Sequence, residues 1–496
     1  MRLQFVHGVF TLICGSILVC GLLAPNCDGS TLKNGGKQTW GYVEVRPGAN
    51  MFWWLYYTTA TVDYTKKPLI LWLQGGPGAS SAGYGNFMEI GPLDVNLQNR
   101  TFSWVDYANV LFVDNPVGSG FSYVNDTNLL CKNNSQITAD LITLITEFLD
   151  KVPEFQDIPL YIFSESYGGK MAAQFTMKLY KKILTKKIKC NLKGVSLGDS
   201  WISPEDSVLT WAPYLFSTSL IDNAGFAEIN ASAYNVKEAI AKGHYVEATD
   251  LFDKTEDIIS KCTNGVNVYN IMQFDDDAKS YATSAETKDD SRRRNYPSVN
   301  SILTSIFGQK LVEQQNTVAE LSHEEKLENK WNSKMKQLGG KWLRKYHGDP
   351  LTELMNGQIK HMLRIIPKNV TWGGQSQEVF QALAGDFMKP VISIVESLLN
   401  TTPLYVNVYS GQLDMIVDTI GTVRWVEKMK WAGIKDWMSA ERKHITVANS
   451  TEMFVKSFKN FGFYWVLKSG HMVPGDAPET AAEMMQIITS LKKVKA

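Results

Sequence analysis

The sequence lacks a net charge. It has 50 lysine and arginine residues against 50 aspartate and glutamate residues in 496 positions. This balance gives no basis for electrostatic capture of nucleic acid or of anionic lipid, so a small or peptide substrate fits better. With 44% hydrophobic residues, the chain can bury a large core, either as one domain with an insertion or as two medium domains.

Cysteines are also too few for a disulfide framework. Cys14 and Cys20 lie in an N-terminal apolar segment and Cys27 lies at its edge. The remaining cysteines are Cys131, Cys190 and Cys262. The sequence allows two arrangements: one disulfide with a leftover thiol, or three unbridged buried thiols. It does not indicate which of Cys27, Cys131, Cys190 and Cys262 would pair.

Apart from the N-terminal segment, no run is long enough to suggest a membrane span. Arg2 leads an apolar run over residues 9–24 that is short for a bilayer and ends among small residues. We therefore predict a signal peptide over residues 1–29, a mature chain that starts near Ser30, and no stable membrane insertion. A retained anchor is the alternative, but no Lys/Arg cluster follows the run as a stop-transfer flank.

Seven Asn-X-Ser/Thr sequons independently favour entry into the secretory pathway. They are Asn99, Asn125, Asn133, Asn230, Asn369, Asn400 and Asn449. We expect a glycoprotein that is secreted or delivered to a lysosome or vacuole.

Hydrophobic periodicity predicts an α/β fold. Two runs rich in β-branched and aromatic residues flank a Pro47-Gly48 turn and predict an antiparallel hairpin. Short apolar runs at 69–73, 110–113, 160–163, 195–197, 404–408 and 463–467 are typical of strands buried on both faces. Helical patterns over 139–149 and after Gly169 separate several of them. We predict a mostly parallel central sheet with helices on both faces.

Residues 204–372 have a different pattern, which is charged, mostly helical and without strand-like runs. We predict that they form an inserted helical cap between two core segments, residues 30–203 and 373–496. Residues 275–300 are polar enough for a loose or cleavable loop, although its processing cannot be read from the sequence.

The strongest local signal is an apolar strand that runs through Ser164, Glu165 and Ser166 directly into an amphipathic helix. This matches the nucleophile elbow GxSxG, with Ser164 in the first glycine position. A tight turn would push Ser166 Oγ clear of the sheet, and the helix N-terminus would favour developing negative charge. An ordinary turn serine is the alternative.

A serine nucleophile needs a base and an orienting carboxylate, and both follow in the chain order Ser, Asp, His. Asp414 and His471 each come just after a predicted strand, where α/β folds collect their active sites. The competitors are Asp418, which would instead cap or pair locally, and His444, the other histidine downstream of Asp414. We favour Asp414 and His471.

A third motif, the run from Gln74 to Gly78, is rich in glycine and ends a buried strand. Glycine there lets a backbone N–H point into the site, and a second donor comes from Tyr167, the residue after the nucleophile. A phosphate-binding loop is the alternative, but the GKS/T ending of a P-loop is missing.

Together these segments resemble the serine carboxypeptidases, which have the α/β-hydrolase fold. The motifs WLQGGPGASS, EIGPL, FVDNPVGSGFSY, SESYGGK, GDSWISP, YSGQLDMIVDT and SGHMVPGDAPE occur in the order of that family. Runs such as MFWWLYYTT and DFMKPVISIV are similar to the retinoid-inducible type within it. The resemblance implies a peptidase that acts through an acyl-enzyme on peptides with a free C-terminus, without metal or cofactor.

The resemblance also implies roles for particular residues. Ser166 is the nucleophile, His471 the general base and Asp414 its orienter, with oxyanion donors from Gly76 and Tyr167. The substrate carboxylate is bound by Gln74, the Gly75 backbone, Glu89 and Glu165. Two glutamates beside a third carboxylate would repel one another unless a proton is shared, so we expect binding and activity to be best at acid pH.

Three positions depart from the common family pattern. Gln74 replaces Asn, Ser164 replaces Gly, and Ala79 replaces Cys, so the disulfide made there in the family is absent. The sequence does not show how these three changes affect catalytic efficiency. It also does not show the P1 and P1′ preferences, the physiological substrate, or whether the protein forms a homodimer. An acyltransferase on the same scaffold and a weakly active binding or scaffolding protein are the alternative functions.

Overall fold

The computed structural model describes residues 35–274 and 350–492. One eleven-stranded sheet runs through them in the order β1-β2-β4-β3-β6-β7-β8-β11-β10-β9, with β5 beside β2. The strands are β1 (Gln38–Arg46), β2 (Ala49–Tyr56), β3 (Leu69–Leu73), β4 (Asn109–Val113), β5 (Tyr123–Val124), β6 (Pro159–Glu165), β7 (Asn191–Gly198), β8 (Tyr405–Gly411), β9 (Lys443–Val447), β10 (Ser450–Phe458) and β11 (Phe461–Val466). The proposed signal peptide, Cys27 and the 275–300 loop lie outside the described residues.

The six strands from β4 to β11 in this order are parallel, and antiparallel strands flank them on both sides. Both β3 and β4 are buried along their whole length, as their continuous apolar runs predict. The predicted α/β-hydrolase class and the opening hairpin are confirmed. The hairpin of β9 and β10 was not predicted, because its residues are mostly polar and partly exposed.

Helices cover both faces of the sheet. They are α1 (Asn134–Lys151), α2 (Gly168–Leu184), α3 (Pro204–Val208), α4 (Trp211–Ser217), α5 (Asn223–Ala241), α6 (Tyr245–Thr263), α7 (Pro350–Leu354), α8 (Lys360–Leu363), α9 (Gln377–Ala382), α10 (Ala384–Phe387), α11 (Ile392–Thr401), α12 (Thr419–Glu427), α13 (Ile434–Ser439), α14 (Val473–Asp476) and α15 (Pro478–Ile488). A π-helix (Ser81–Ile90) follows β3, and a shorter one (Met355–Ile359) joins α7 to α8.

Strand β3 shows how the core is divided. Its residues Leu69, Leu71 and Leu73 belong to the apolar cluster that includes α1 and α2, whereas Ile70 and Trp72 belong to the cluster that includes α15 and the π-helix. Alternate side chains of a strand point to opposite faces, so the two clusters are the two sides of the sheet.

Between β7 and β8, the described residues form helices, an isolated bridge from Val266 to Phe274 and another from Gln375 to Ala79, but no strand of the sheet. The inserted helical cap over residues 204–372 stays a prediction. Within the described ranges, no helix has both the length and the apolar character needed to span a bilayer. The three described cysteines, Cys131, Cys190 and Cys262, are free thiols.

Candidate active site

The turn after β6 has the geometry of a nucleophile elbow. Ser166 adopts a left-handed backbone conformation with φ of 60°, which is strained for a residue with a side chain, and its N–H donates to Gly198 O at 3.0 Å. A Cβ on Gly75 would lie 2.5 Å from Ser166 Cβ, and one on Gly169 would lie 2.1 Å from Ser200 Oγ. Only glycine at these two positions allows the turn to pack so closely.

Ser164, in the first glycine position of the motif, is fully buried. Its hydroxyl donates to the carbonyl oxygen of Ser196 on the neighbouring strand β7 at 3.1 Å. The polar side chain is therefore satisfied inside the sheet, and the substitution of serine for glycine leaves the elbow intact.

His471 and Asp414 form a buried pair. His471 Nδ1 and Asp414 Oδ2 are 2.8 Å apart, and the imidazole and the carboxylate are 4% and 0% exposed. Val417 N donates to Asp414 Oδ1 at 3.1 Å, which fixes the carboxylate. A carboxylate on Nδ1 selects the tautomer that leaves Nε2 free to accept a proton.

Asp418 and His444, the two competing residues, lie elsewhere and make other contacts. Asp418 is the N-cap of α12 and accepts a hydrogen bond from Gly421 N at 2.9 Å. His444 is exposed on the edge strand β9, where it lies opposite Phe454 in the antiparallel register with β10.

Sheet order brings the three sequence-predicted residues to the same edge. Ser166 follows β6, Asp414 follows β8 and His471 follows β11, and these strands are neighbours in the order β6-β7-β8-β11. Within the described residues, no hydrogen bond joins the Ser166 hydroxyl to His471. Such contacts are often long before substrate binds, so the arrangement remains compatible with proton transfer between them.

Residues of the 266–274 segment and α14 hold the histidine in place, and sequence reasoning missed them. His471 N donates to Tyr269 O at 2.7 Å, and the Tyr269 ring lies edge-on to the imidazole with centroids 5.2 Å apart. Asp476 Oδ2 accepts from Gly470 N at 2.8 Å and from Asn270 Nδ2 at 2.9 Å. The position of Asp476 five residues after the histidine was the only available signal.

The predicted oxyanion donors lie at the two backbone turns. Gly76 has φ of 105°, and a Cβ there would lie 2.9 Å from the Gly78 and Ala79 nitrogens, so this position requires glycine. Tyr167 is the N-cap residue of α2. In the described structure neither the Gly76 N–H nor the Tyr167 N–H donates to a protein acceptor, which leaves both amides available to a ligand.

Asp114, in the FVDNPVGSGFSY motif, anchors the glycine-rich loop. Its carboxylate accepts from Ser80 Oγ at 2.8 Å, Ala82 N at 2.9 Å and Phe121 N at 2.8 Å. Burial raises the pKa of Asp114 to about 6, and these hydrogen bonds oppose the shift. The motif is therefore part of the scaffold of the loop.

The side chain of Tyr167 is also fixed. Its hydroxyl donates to Asp386 Oδ2 at 2.8 Å. The buried Lys170 Nζ donates to the backbone oxygens of Asp386 and, at 3.0 Å, Phe387. Burial lowers the pKa of Lys170 to about 8. These contacts tie the first turn of α2 to α10, which lies in the predicted second core segment (residues 373–496), and sequence reasoning did not identify them.

The predicted carboxylate-binding residues form one buried cluster. Gln74 Nε2 donates to Glu165 Oε1 at 2.8 Å and to Glu89 Oε1 at 3.1 Å. Trp72 Nε1, which can only donate, bonds Gln74 Oε1 at 2.7 Å. The indole therefore sets the orientation of the amide, so that its NH₂ group faces the two glutamates.

Both glutamates are buried, at 1% and 2% exposure for Glu89 and Glu165. Burial raises the pKa of Glu89, and burial together with the neighbouring Glu89 carboxylate raises the pKa of Glu165 well above its usual value. Within the described residues, no donor bonds the Oε2 atom of either side chain. One proton shared between the two carboxyl groups removes their repulsion.

No group of three or more His, Cys, Asp or Glu side chains in the described ranges could hold a metal ion.

Comparisons with known proteins agree with this geometry. A family model described as serine carboxypeptidase matches residues 25–490. The retinoid-inducible serine carboxypeptidase of Mus musculus is 45% identical over 458 residues, which are 92% of this chain and 92% of the mouse protein. Serine carboxypeptidase-like 51 of Arabidopsis thaliana is 39% identical over 485 residues, 95% of this chain and 97% of that protein.

Among solved structures, a prohormone-processing carboxypeptidase of Saccharomyces cerevisiae superposes with a TM-score of 0.70. The alignment covers 92% of this chain and 91% of the yeast chain at 20% identity, and at that identity it supports the fold alone. The resemblance predicted from the motifs is confirmed by the family match and by the sequence relatives. The chain belongs to the serine carboxypeptidase family of hydrolases.

Proposed function

We propose that Ser166, His471 and Asp414 cleave the C-terminal peptide bond of a substrate through an acyl-enzyme. His471 Nε2 takes the Ser166 proton as the hydroxyl attacks the carbonyl, and then donates it to the leaving amino acid. Water, activated by the same imidazole, releases the shortened peptide. The observation that carries this proposal is the 2.8 Å pair of His471 and Asp414 at the edge where the strained Ser166 turn projects.

The amides of Gly76 and Tyr167 are the proposed oxyanion donors. The Gly76 amide borders the Ser166 turn on the side of β3, and the Tyr167 amide borders it on the side of α2. Neither amide donates to a protein acceptor within the described residues. A donor of this kind is typically worth about 3 to 4 kcal/mol in the transition state.

The Gln74, Glu89 and Glu165 cluster is the proposed site for the substrate's terminal carboxylate, together with the Gly75 backbone. Glu165 directly precedes the nucleophile, so a carboxylate bound beside it lies close to the last peptide bond. Such a ligand needs donors, and an ionised glutamate pair would repel it. The raised pKa values of Glu89 and Glu165 keep a proton there at acid pH, and the site loses it as pH rises.

The test is the release of a free amino acid from an N-blocked dipeptide, with Ser166→Ala as the control. We expect wild type to release the C-terminal residue, and to do so far more slowly when that residue is amidated, because the amide has no carboxylate. Equal turnover of the acid and the amide would contradict the proposed site. Addition of an acyl-glucose ester to the same assay separates hydrolysis from acyl transfer.

We also propose that the chain enters the secretory pathway and loses residues 1–29. Five sequon asparagines are exposed, namely Asn99, Asn125, Asn369, Asn400 and Asn449, whereas Asn133 and Asn230 are half-buried. Asn133 caps α1 through its side-chain oxygen. Glycopeptide mapping of protein made in eukaryotic cells, with sequencing of its N-terminus, should show glycans at the exposed sites and a start near Ser30. An unmodified chain that retains Met1 would contradict the proposal.

A further inference from the structure

A second pair of carboxyl groups lies on the catalytic side of the site. Asp199 follows strand β7, directly after Gly198, whose carbonyl accepts the Ser166 N–H. Asp199 is fully buried and has φ of 38°, an unusual backbone conformation for aspartate. Gly411 joins it to Asp414, since the Gly411 N–H donates to Asp199 Oδ1 at 2.8 Å and the Gly411 carbonyl accepts from Asp414 N at 3.3 Å, and the Asp414 carboxylate in turn is bonded to His471. The two carboxyl groups are also electrostatic neighbours.

The hydrogen bonds of Asp199 leave one oxygen for a proton. Gly411 N donates to Asp199 Oδ1 at 2.8 Å, whereas no donor among the described residues bonds the buried Oδ2. Two ionised carboxylates in contact inside a protein repel strongly, so one of a close pair normally keeps a proton. Asp414 is already paired with His471, which makes Asp199 the member that holds the proton.

The other titratable groups that act on Asp199 favour the same assignment. Besides Asp414, they are Asp476 of α14, Glu165 at the end of β6 and Tyr409 of β8. Asp476 and Glu165 carry a negative charge when they are ionised, and Tyr409 would carry one only if its hydroxyl lost its proton. His471 is bonded to Asp414, at 2.8 Å between Nδ1 and Oδ2. Burial, and then the Asp414 charge, raise the pKa of Asp199 well above its usual value.

We propose that Asp199 is a positioning residue that keeps its proton and donates it in a hydrogen bond to Asp414. The bond holds the Asp414 carboxylate in the orientation that His471 Nδ1 requires. When this proton is lost, Asp199 can no longer donate to Asp414 and the two carboxylates repel each other, so Asp414 turns away from His471 Nδ1 and the imidazole loses the orientation in which it acts as the general base. This role deepens the proposed function, because it adds a second proton whose loss slows the chemical step.

The two carboxyl pairs then affect different kinetic constants. Loss of the Glu89 and Glu165 proton weakens substrate binding and raises KM. Loss of the Asp199 proton acts on the bound complex and lowers kcat. A role for Asp199 in folding alone would not move the pH dependence of kcat at saturating substrate.

The matched pair of variants is Asp199→Asn and Asp418→Asn. Asparagine at 199 can still donate to Asp414 but cannot ionise. Asp418 is also buried, with its pKa raised to about 7 by burial, but it bonds Gly421 N and Thr210 Oγ1. At pH values where Asp199 keeps its proton, we expect Asp199→Asn to keep kcat within about threefold of wild type. The variant should lack the decline in kcat that wild type shows as pH rises through the raised pKa of Asp199, a decline that we expect to approach about tenfold per pH unit. Asp418→Asn should keep the wild-type profile.

Two readouts do not depend on turnover, so they separate this proposal from the proposed function. The infrared band of a buried protonated carboxyl should be present in wild type at acid pH, disappear as pH rises, and be weakened in Asp199→Asn. The folded state of wild type should lose stability relative to Asp199→Asn as pH rises, because a group with a raised folded pKa stabilises at low pH and loses that effect through its folded pKa.

Superimposed kcat profiles of wild type and Asp199→Asn, or identical carboxyl bands, would overturn the proposal. If Asp199→Asn does not accumulate as folded protein, Asp199→Ser, whose hydroxyl can still donate, carries the same expectations. Absence of peptidase activity in wild type with the carboxyl band intact would contradict the proposed function but leave the Asp199 assignment standing.

Discussion

The proposed catalytic pair, His471 and Asp414, and the proposed carboxylate-binding pair, Glu89 and Glu165, are both buried, but their carboxyl groups face different partners. Asp414 faces His471 at 2.8 Å, so its negative charge has a partner that becomes positive during the reaction. Glu89 and Glu165 face one another across the Gln74 amide, without a cation bonded to either. We therefore expect charge to develop on His471 and Asp414 during the reaction, and a proton to be held between Glu89 and Glu165. The chemistry of a buried carboxyl group is therefore set by what it faces.

The largest effect should come from the catalytic pair. Asp414→Asn replaces the acceptor on His471 Nδ1 with an amide and permits the wrong tautomer, so we expect kcat to fall by about 10⁴-fold. Steady-state kinetics on a blocked dipeptide measure this, with circular dichroism as the folding control. A loss smaller than about tenfold would mean that His471 does not depend on Asp414.

The next effect belongs to the carboxylate-binding pair and appears in KM. Above the pH at which the Glu89 and Glu165 proton is lost, wild-type KM should rise by up to about tenfold per pH unit. Glu165→Gln removes the repulsion and should flatten this rise in KM while leaving the kcat profile unchanged. Parallel KM curves for wild type and variant would exclude a shared proton.

A smaller effect tests the scaffold beneath both pairs. Asp114 accepts three hydrogen bonds, two of which anchor the residues just after the glycine-rich loop. Asp114→Asn replaces one of its acceptor oxygens, and we expect a loss of about 1–3 kcal/mol in the free energy of unfolding. Denaturant titration measures the loss. Unchanged stability would show that the loop does not depend on this anchor.

The smallest effect is expected at Asp418, four residues after Asp414. Asp418→Ala removes the cap of α12 and should cost about 1 kcal/mol of stability, with kcat changed less than about threefold. A loss of kcat as large as that of Asp414→Asn would overturn the distinction between the two aspartates.

The sequence predicted the elements whose signals are local. The apolar run before Ser166, the glycines around it and the periodic Met171, Phe175 and Leu179 define β6, the turn and α2 without distant information. The order of Ser166, Asp414 and His471 then placed the three residues after strands of one parallel sheet. Glu89 and Glu165 came only from the family resemblance, because nothing local separates them from surface charges.

Contacts between distant segments could not be predicted in this way. Asp199 approaches Asp414 only because β7 and β8 are neighbours, and Asp476 reaches Asn270 across 206 residues of sequence. The β9 and β10 hairpin was missed for a related reason, since an edge strand needs little apolar surface. Periodicity reports burial along one element, and it does not report which element packs against it.

The most direct test of the account is to map the site of covalent labelling by a fluorophosphonate probe. We predict modification of Ser166 alone in wild type, strongly reduced labelling in His471→Ala, and no labelling in folded Ser166→Ala. Labelling of a different serine, or undiminished labelling of Ser166→Ala, would contradict the assignment of this turn as the nucleophile.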